Sequence, residues 1–250
     1  MNSPNDVGPH AVLITGAGKR VGAAIARQLH GAGFNIILHY RQSRAEAERV
    51  AALLNAIRPH SAALLAGDLL ATDALPALME RAVAAFGRLD VLINNASSFY
   101  RTPLGSITET QWDDLLGTNL KAPLFLAQAA TAHLKASHGL ILNLVDIHSQ
   151  RPLPDHSVYC VAKAGLAMLT RALARELGPE IRVNGIAPGP VLWPEGGMDP
   201  ALKAKIIDRT ALRRAGSPED ISKAALFFCR DAPYVTGQIL AVDGGRSIGW

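Results

Sequence analysis

The chain is poor in cysteine, in charge and in long apolar runs. Two cysteines, Cys160 and Cys229, stand far apart in 250 residues. They support neither a disulfide framework nor a metal site, and they fit a reducing, cytoplasmic setting. None of the eight histidines joins another at ligand spacing beside a Cys or carboxylate cluster, so no metal is expected. Asp, Glu, Lys and Arg make up 18% of the chain, too little for a disordered or fibrous protein. The net charge of +4 is scattered, with no basic run longer than a pair, which argues against a nucleic-acid partner. No apolar run approaches the ~20 residues that span a bilayer. Residues 1–10 are polar and carry Pro4 and Pro9, unlike a signal peptide. The expected partner is a small-molecule substrate, with no membrane and no nucleic acid.

What is abundant is apolar residue, at 49%. That is enough for one domain to bury a large core, and no composition shift splits it. Apolar runs fall at 11–15, 35–40, 61–66, 91–94, 139–145, 181–185 and 238–242. Between them, apolar residues recur at three- and four-residue spacing over 21–30, 45–57, 75–86, 111–134, 158–177 and 218–228. Runs apolar throughout, separated by amphipathic helices, predict a parallel sheet covered on both faces. The expected fold is α/β: a single-domain doubly wound Rossmann fold over 11–250, with a seven-stranded parallel sheet, after a flexible segment 1–10. Residues 187–200 hold four prolines and three glycines and read as a functional lid, with the substrate loop extending over 187–210.

The first strand runs into Thr15-Gly16-Ala17-Gly18-Lys19-Arg20-Val21-Gly22, and a helix follows. Glycines there permit a tight turn and let the backbone approach a pyrophosphate at the helix N-terminus. The second strand ends at His39-Tyr40-Arg41-Gln42-Ser43-Arg44. It lacks the acidic residue that holds the ribose hydroxyls of NAD. Arg41, Ser43 and Arg44 are donors suited to a 2′-phosphate instead, which favours NADPH; the alternative is a solvated helix start. Asp68 follows the third strand and Asn94-Asn95-Ala96 the fourth, all at strand C-terminal ends. Tyr159 and Lys163 are four apart, so on a helix they share a face. A neighbouring ammonium is expected to lower the phenol's pKa, which suits proton exchange near neutral pH.

These motifs resemble the short-chain dehydrogenase/reductase family over nearly the whole chain from Ala11 to Gly249. The resemblance rests on Thr15-Gly16 through Gly22, Asn94-Asn95-Ala96, Asn119, Tyr159 with Lys163, Pro188-Gly189 and Val242-Asp243-Gly244-Gly245. Three departures are similar to the pteridine reductases: Arg20 in place of a glycine, Ser97-Ser98-Phe99-Tyr100 after Asn95-Ala96, and Asp146 where most members carry serine. The resemblance implies catalytic roles for Asp146, Tyr159, Lys163 and Asn119, the last supporting Lys163 through a water. It implies cofactor contacts from Gly16, Gly18, Lys19, Arg20, Val21, Gly22, His39, Tyr40, Arg41, Ser43, Asp68, Leu69, Asn95, Ala96, Ser97, Tyr159, Lys163, Pro188, Gly189 and Val191. Substrate contacts fall on Arg20, Ser97, Phe99, Asp146, Tyr159 and Trp193. A homotetramer is implied on the same ground.

A ketone reductase needs a hydroxyl to hold a carbonyl oxygen. A pterin presents ring C=N bonds, whose nitrogen must gain a proton as the adjacent carbon takes hydride. A carboxyl beside the tyrosine, with its pKa raised by burial, is the better proton reservoir. An ionised carboxylate facing a carbonyl would repel the developing charge. The alternative for Asp146 is a capping aspartate in a retuned ketone reductase. Phe99 is expected as a flat wall opposite the nicotinamide, with core packing as its alternative. Trp193 reads either as a substrate-side aromatic or as lid or subunit packing. The end Ile248-Gly249-Trp250 reads either as a subunit contact or as a frayed tail. The sequence thus points to NADPH-dependent pterin reduction. Its rivals are a general carbonyl or 3-oxoacyl reductase and a non-catalytic NADPH-binding protein.

Overall fold

A computed structural model describes residues 9–193 and 197–248. Seven parallel strands form one sheet in the order β3-β2-β1-β4-β5-β6-β7. They are β1 (Ala11–Ile14), β2 (Asn35–Tyr40), β3 (Ala62–Ala66), β4 (Val91–Asn94), β5 (Leu140–Leu144), β6 (Arg182–Pro188) and β7 (Ile239–Val242). The central strands β1, β4 and β5 are buried along their whole length. This explains their richness in Val, Ile and Leu: both faces of the sheet are covered. On one face lie α1 (Arg20–Gly31), α2 (Arg44–Ile57) and α8 (Pro218–Arg230), around Ile25, Leu29, Leu54 and Phe228. On the other lie α3 (Leu75–Ala84), α5 (Ala122–Ala136) and α6 (Ser157–Leu177), around Leu78, Met79, Leu126, Leu134 and Leu173. The strand order reverses between β1 and β4, so loops leave that point in opposite directions and open a crevice above the strand ends.

Two expectations about the elements are corrected. The continuous stretch 111–134 is two helices. α4 (Glu109–Leu116) starts at a capping box made by Thr108 and Gln111, and a π-helical turn, Gly117–Lys121, separates it from α5. The substrate stretch 187–210 is not loop throughout. It holds α7 (Pro200–Asp208), capped by the Asp199 carboxylate, which accepts from Ala201 N at 3.0 Å. Among the described residues, α6 is the one helix long and apolar enough to cross a membrane; 56% of that window is buried in the fold. It carries Tyr159 and Lys163 on its inner face.

Candidate active site

The floor of the crevice is the turn after β1. Gly16 has φ +63°, and a Cβ there would lie 3.1 Å from Ala96 Cα. At Gly22 a Cβ would fall 2.4 Å from the Gly16 carbonyl and 2.6 Å from Asn95 Nδ2. Both positions require glycine for the backbone to fold this tightly. The Thr15 hydroxyl accepts from Asn95 N at 2.9 Å and Ala96 N at 3.0 Å, and Asn95 Nδ2 donates to Thr15 O at 2.8 Å. The turn after β1 and the segment after β4 are thereby locked together. A cleft of about 600 Å³ opens above them. Gly16, Lys19, Arg20, Val21, Gly22, His39, Arg41, Ser43, Asp68, Leu69, Asn95, Ala96 and Ser97 line it. This backbone cradle, open at a helix N-terminus and closed to a Cβ at Gly16 and Gly22, fits the pyrophosphate of a dinucleotide.

Three residues of the expected cofactor region are held by neighbours within the protein. His39 is buried and accepts from Gly16 N at 3.3 Å through Nδ1. Its Nε2 therefore carries the proton and faces Gly67 O at 3.2 Å. Burial holds its pKa down to about 4. His39 is thus a strut beneath the turn. Tyr40 is buried at the end of β2. Arg44 points along α2 to Glu48, with Nε 2.7 Å from Oε1, so the expected phosphate donor is paired within its own helix. Arg41 remains at the cleft, 3.7 Å from the Asp68 carboxylate.

The chemistry-bearing groups stand across the crevice. Asp146 follows β5 and caps the short turn Ile147–Ser149, accepting from His148 N at 2.8 Å through Oδ1. Its other oxygen accepts from the Tyr159 hydroxyl at 2.7 Å. Capping and contact with the tyrosine, weighed as alternatives in the sequence, are both present. Lys163 is fully enclosed and donates to Leu144 O at 2.8 Å; its Nζ lies 5.7 Å from the Tyr159 ring centre. Burial pulls the lysine down to about 8, against the pull of Asp146. The phenol moves opposite to expectation. Burial first, and then the Asp146 charge and hydrogen bond, push Tyr159 well above the usual phenol value. A hydrogen bond with Ser97 works the other way without reversing the shift.

Asn119 stands in the π turn. Its side chain donates to Ser98 O and Leu115 O, both at 2.9 Å, and accepts from Ser97 Oγ at 2.6 Å. It braces the Ser97-Ser98 segment from the π turn. Phe99, 50% exposed, projects from that segment. The Phe99 and Tyr159 rings form a T-shaped pair, 4.8 Å between ring centres. His156, unforeseen in the sequence, stacks on one Phe99 face at 4.8 Å and 16°. The signal was present: His156 lies three residues before Tyr159, on the same helical face.

The segment after β6 divides. The Trp193 carbonyl accepts from Arg20 Nη2 at 3.4 Å, and the Lys203 ammonium lies 5.5 Å from the Trp193 ring centre. Lid packing is the role these contacts supply. Pro188 ends β6, and Gly189 N donates to Val242 O at 3.1 Å, holding the β6 end beside β7. Val191 lines a separate cavity of about 450 Å³ beside α8, away from the glycine turn. Residues 194–196, and Gly249 and Trp250, lie outside the described residues. Among the described residues no cluster of His, Cys, Asp or Glu could hold a metal.

A glycine cradle at the sheet's switch point, with a buried phenol and ammonium one helical turn apart across it, is the arrangement of a nicotinamide-dependent oxidoreductase. A family profile described as Enoyl-(Acyl carrier protein) reductase matches residues 16–247. The chain belongs to the short-chain dehydrogenase/reductase family. Among similar members, Pteridine reductase 1 of Leishmania tarentolae is 37% identical over 277 residues, covering 94% of this chain and 96% of that protein. The 3-oxoacyl-(acyl-carrier-protein) reductase FabG of Staphylococcus aureus is 35% identical over 239 residues, covering 94% and 97%. The 3beta-hydroxysteroid dehydrogenase 1 of Eggerthella lenta is 33% identical over 252 residues, covering 98% and 96%. Like other short-chain dehydrogenase/reductases, the protein is an oxidoreductase of the NAD(P)-dependent class acting on small molecules. The first two identities are too close to choose between pterin and 3-oxoacyl substrates.

Proposed function

We propose that the protein is an NADPH-dependent pteridine reductase. It would take dihydropterins of the dihydrobiopterin or dihydromonapterin type, with dihydrofolate as a further candidate, to their tetrahydro forms. The observation that carries this reading is the Asp146 carboxylate at 2.7 Å from the Tyr159 hydroxyl. When bound, reduced nicotinamide supplies a hydride. The chain must supply the proton that the ring nitrogen gains as its neighbouring carbon accepts that hydride. Tyr159, pushed up by burial and by Asp146, keeps its proton at neutral pH and is set to donate. The carboxylate holds the phenol in place; once Tyr159 has donated, a proton taken up from water by the carboxylate can restore the phenol. Facing a ketone, the same carboxylate would oppose the charge growing on oxygen. Phe99, half exposed, offers aromatic surface against which a planar heterocycle can pack. Arg41 at the cleft mouth, with no carboxylate at the end of β2, supports NADPH over NADH. Exposed Trp112, Leu124, Val161 and Met168 on α4, α5 and α6 support assembly through those helices, and a homotetramer is the proposed state.

The second reading is a carbonyl or 3-oxoacyl reductase, favoured by the FabG likeness. Loss of NADPH absorbance with dihydrobiopterin, set against a 3-oxoacyl ester, separates the two. Asp146→Ser sharpens the comparison. Pterin turnover should fall by at least about 100-fold, in the range of a lost proton-transfer group, while ketone turnover holds or rises. Wild-type turnover of the ester without any pterin turnover would reverse the assignment.

A further inference from the structure

We propose that His156 is a positioning residue for substrate selection: it sets the Phe99 ring and so fixes the slot that a flat substrate enters. This inference rests on the pterin reading above. Phe99 projects from the segment after β4, yet it is not a free side chain. The His156 imidazole covers one face at 4.8 Å and 16°, and Tyr159 makes a T-shaped contact with the Phe99 ring at 4.8 Å and 78°. Half of the side chain stays exposed beside these two contacts. The imidazole is itself fixed. It is 8% exposed, and Nδ1 lies 2.7 Å from Pro154 O, an acceptor, so that nitrogen carries the proton.

The backbones are joined as well. Thr102 and His156 form a parallel bridge, Thr102 N donates to Asp155 O at 2.5 Å, and Arg101 pairs with Asp155. Asp155 has φ +61°, a left-handed conformation that an aspartate keeps only when its surroundings hold it. The wall of the slot is therefore tied to the N-terminus of α6, one turn before the catalytic tyrosine. A ring held before the substrate arrives loses no rotamer freedom on binding, and that loss otherwise weakens affinity. A flexible acyl chain gains little from a flat wall at a fixed tilt; a planar bicycle gains most.

His156 is the residue before α6, but its side chain makes no capping hydrogen bond. Its replacement therefore removes the stack without removing a helix cap. The test uses the full-length enzyme with NADPH and dihydrobiopterin, comparing wild type, His156→Ala and His156→Phe. His156→Ala should raise KM by about ten-fold, as expected from freeing one aromatic side chain, with a much smaller change in kcat. His156→Phe, which keeps a stacking ring, should return KM to within about three-fold of wild type. An unchanged KM in His156→Ala overturns the inference. So does a His156→Phe enzyme as impaired as His156→Ala at equal melting temperature. If wild type itself fails to reduce the pterin, the pterin reading falls and takes this inference with it. That result is distinct from an active wild type whose variants show no split.

Discussion

Acid should loosen the cofactor turn through one buried ring. His39 accepts from Gly16 N and donates to Gly67 O, so its neutral form joins the β1 turn to the end of β3. Protonation would place a second hydrogen on Nδ1, facing the Gly16 N–H. The folded value is about 4 against an ordinary 6.5, with burial the main cause. Between those two pH values the unfolded chain binds the proton and the folded chain does not. Stability contributed by His39 is therefore complete above pH 6.5 and is lost as pH falls towards 4. A gap of about 2.5 pH units at about 1.4 kcal/mol each comes to about 3 kcal/mol. Urea denaturation at pH 7 and pH 4 measures it, with His39→Leu as the control that cannot titrate. The variant should start weaker at pH 7, because Gly16 N has lost its acceptor. Wild type should lose about 3 kcal/mol more than the variant on acidification. NADP+ affinity should fall over the same range in wild type only. Parallel loss of stability in the two proteins would refute the reasoning.

Two further outcomes are expected. Arg20 opens α1 at φ +56°, which costs a non-glycine residue about 1 kcal/mol. Arg20→Gly should raise stability by up to that amount in thermal melts while weakening NADPH binding; a lower melting temperature would count against the strain. Lys163 is held at about 8 by burial, so its ammonium is lost as pH rises through that value. The rate should decline on that limb, and Lys163→Arg should move the decline to higher pH; a limb that stays in place would assign it elsewhere.

The sheet was legible because its central strands are buried on both faces and so are mostly apolar; β2 and β4 match their runs residue for residue. The break within 111–134 was hidden for a physical reason. A π turn adds one residue to a helix without disturbing the three- and four-residue apolar spacing on either side. α7 hid because its residues are mostly exposed and leave no apolar stripe. Only Asp199 followed by Pro200, a cap and a first-turn proline, announced it. At the site, spacing placed Tyr159 and Lys163 on one helix face. It could not say which acceptor the ammonium would find. Leu144 O takes that role, and the phenol is governed by Asp146 instead. His39 was legible as a cofactor-side residue; its duty beneath Gly16 depends on β3 lying alongside β2.

The lock between Thr15 and Asn95 joins positions 80 residues apart. A ribosome that has released only the first ninety residues has made the glycine turn but not the shelf on which it rests. The nascent chain can close β1 against β2 early. The cradle takes its shape only when β4 slots in beside β1 and carries Asn95 and Ala96 under the turn. Dinucleotide affinity should therefore arise late and abruptly during synthesis, with the arrival of the central strand, and not in proportion to the length of chain made.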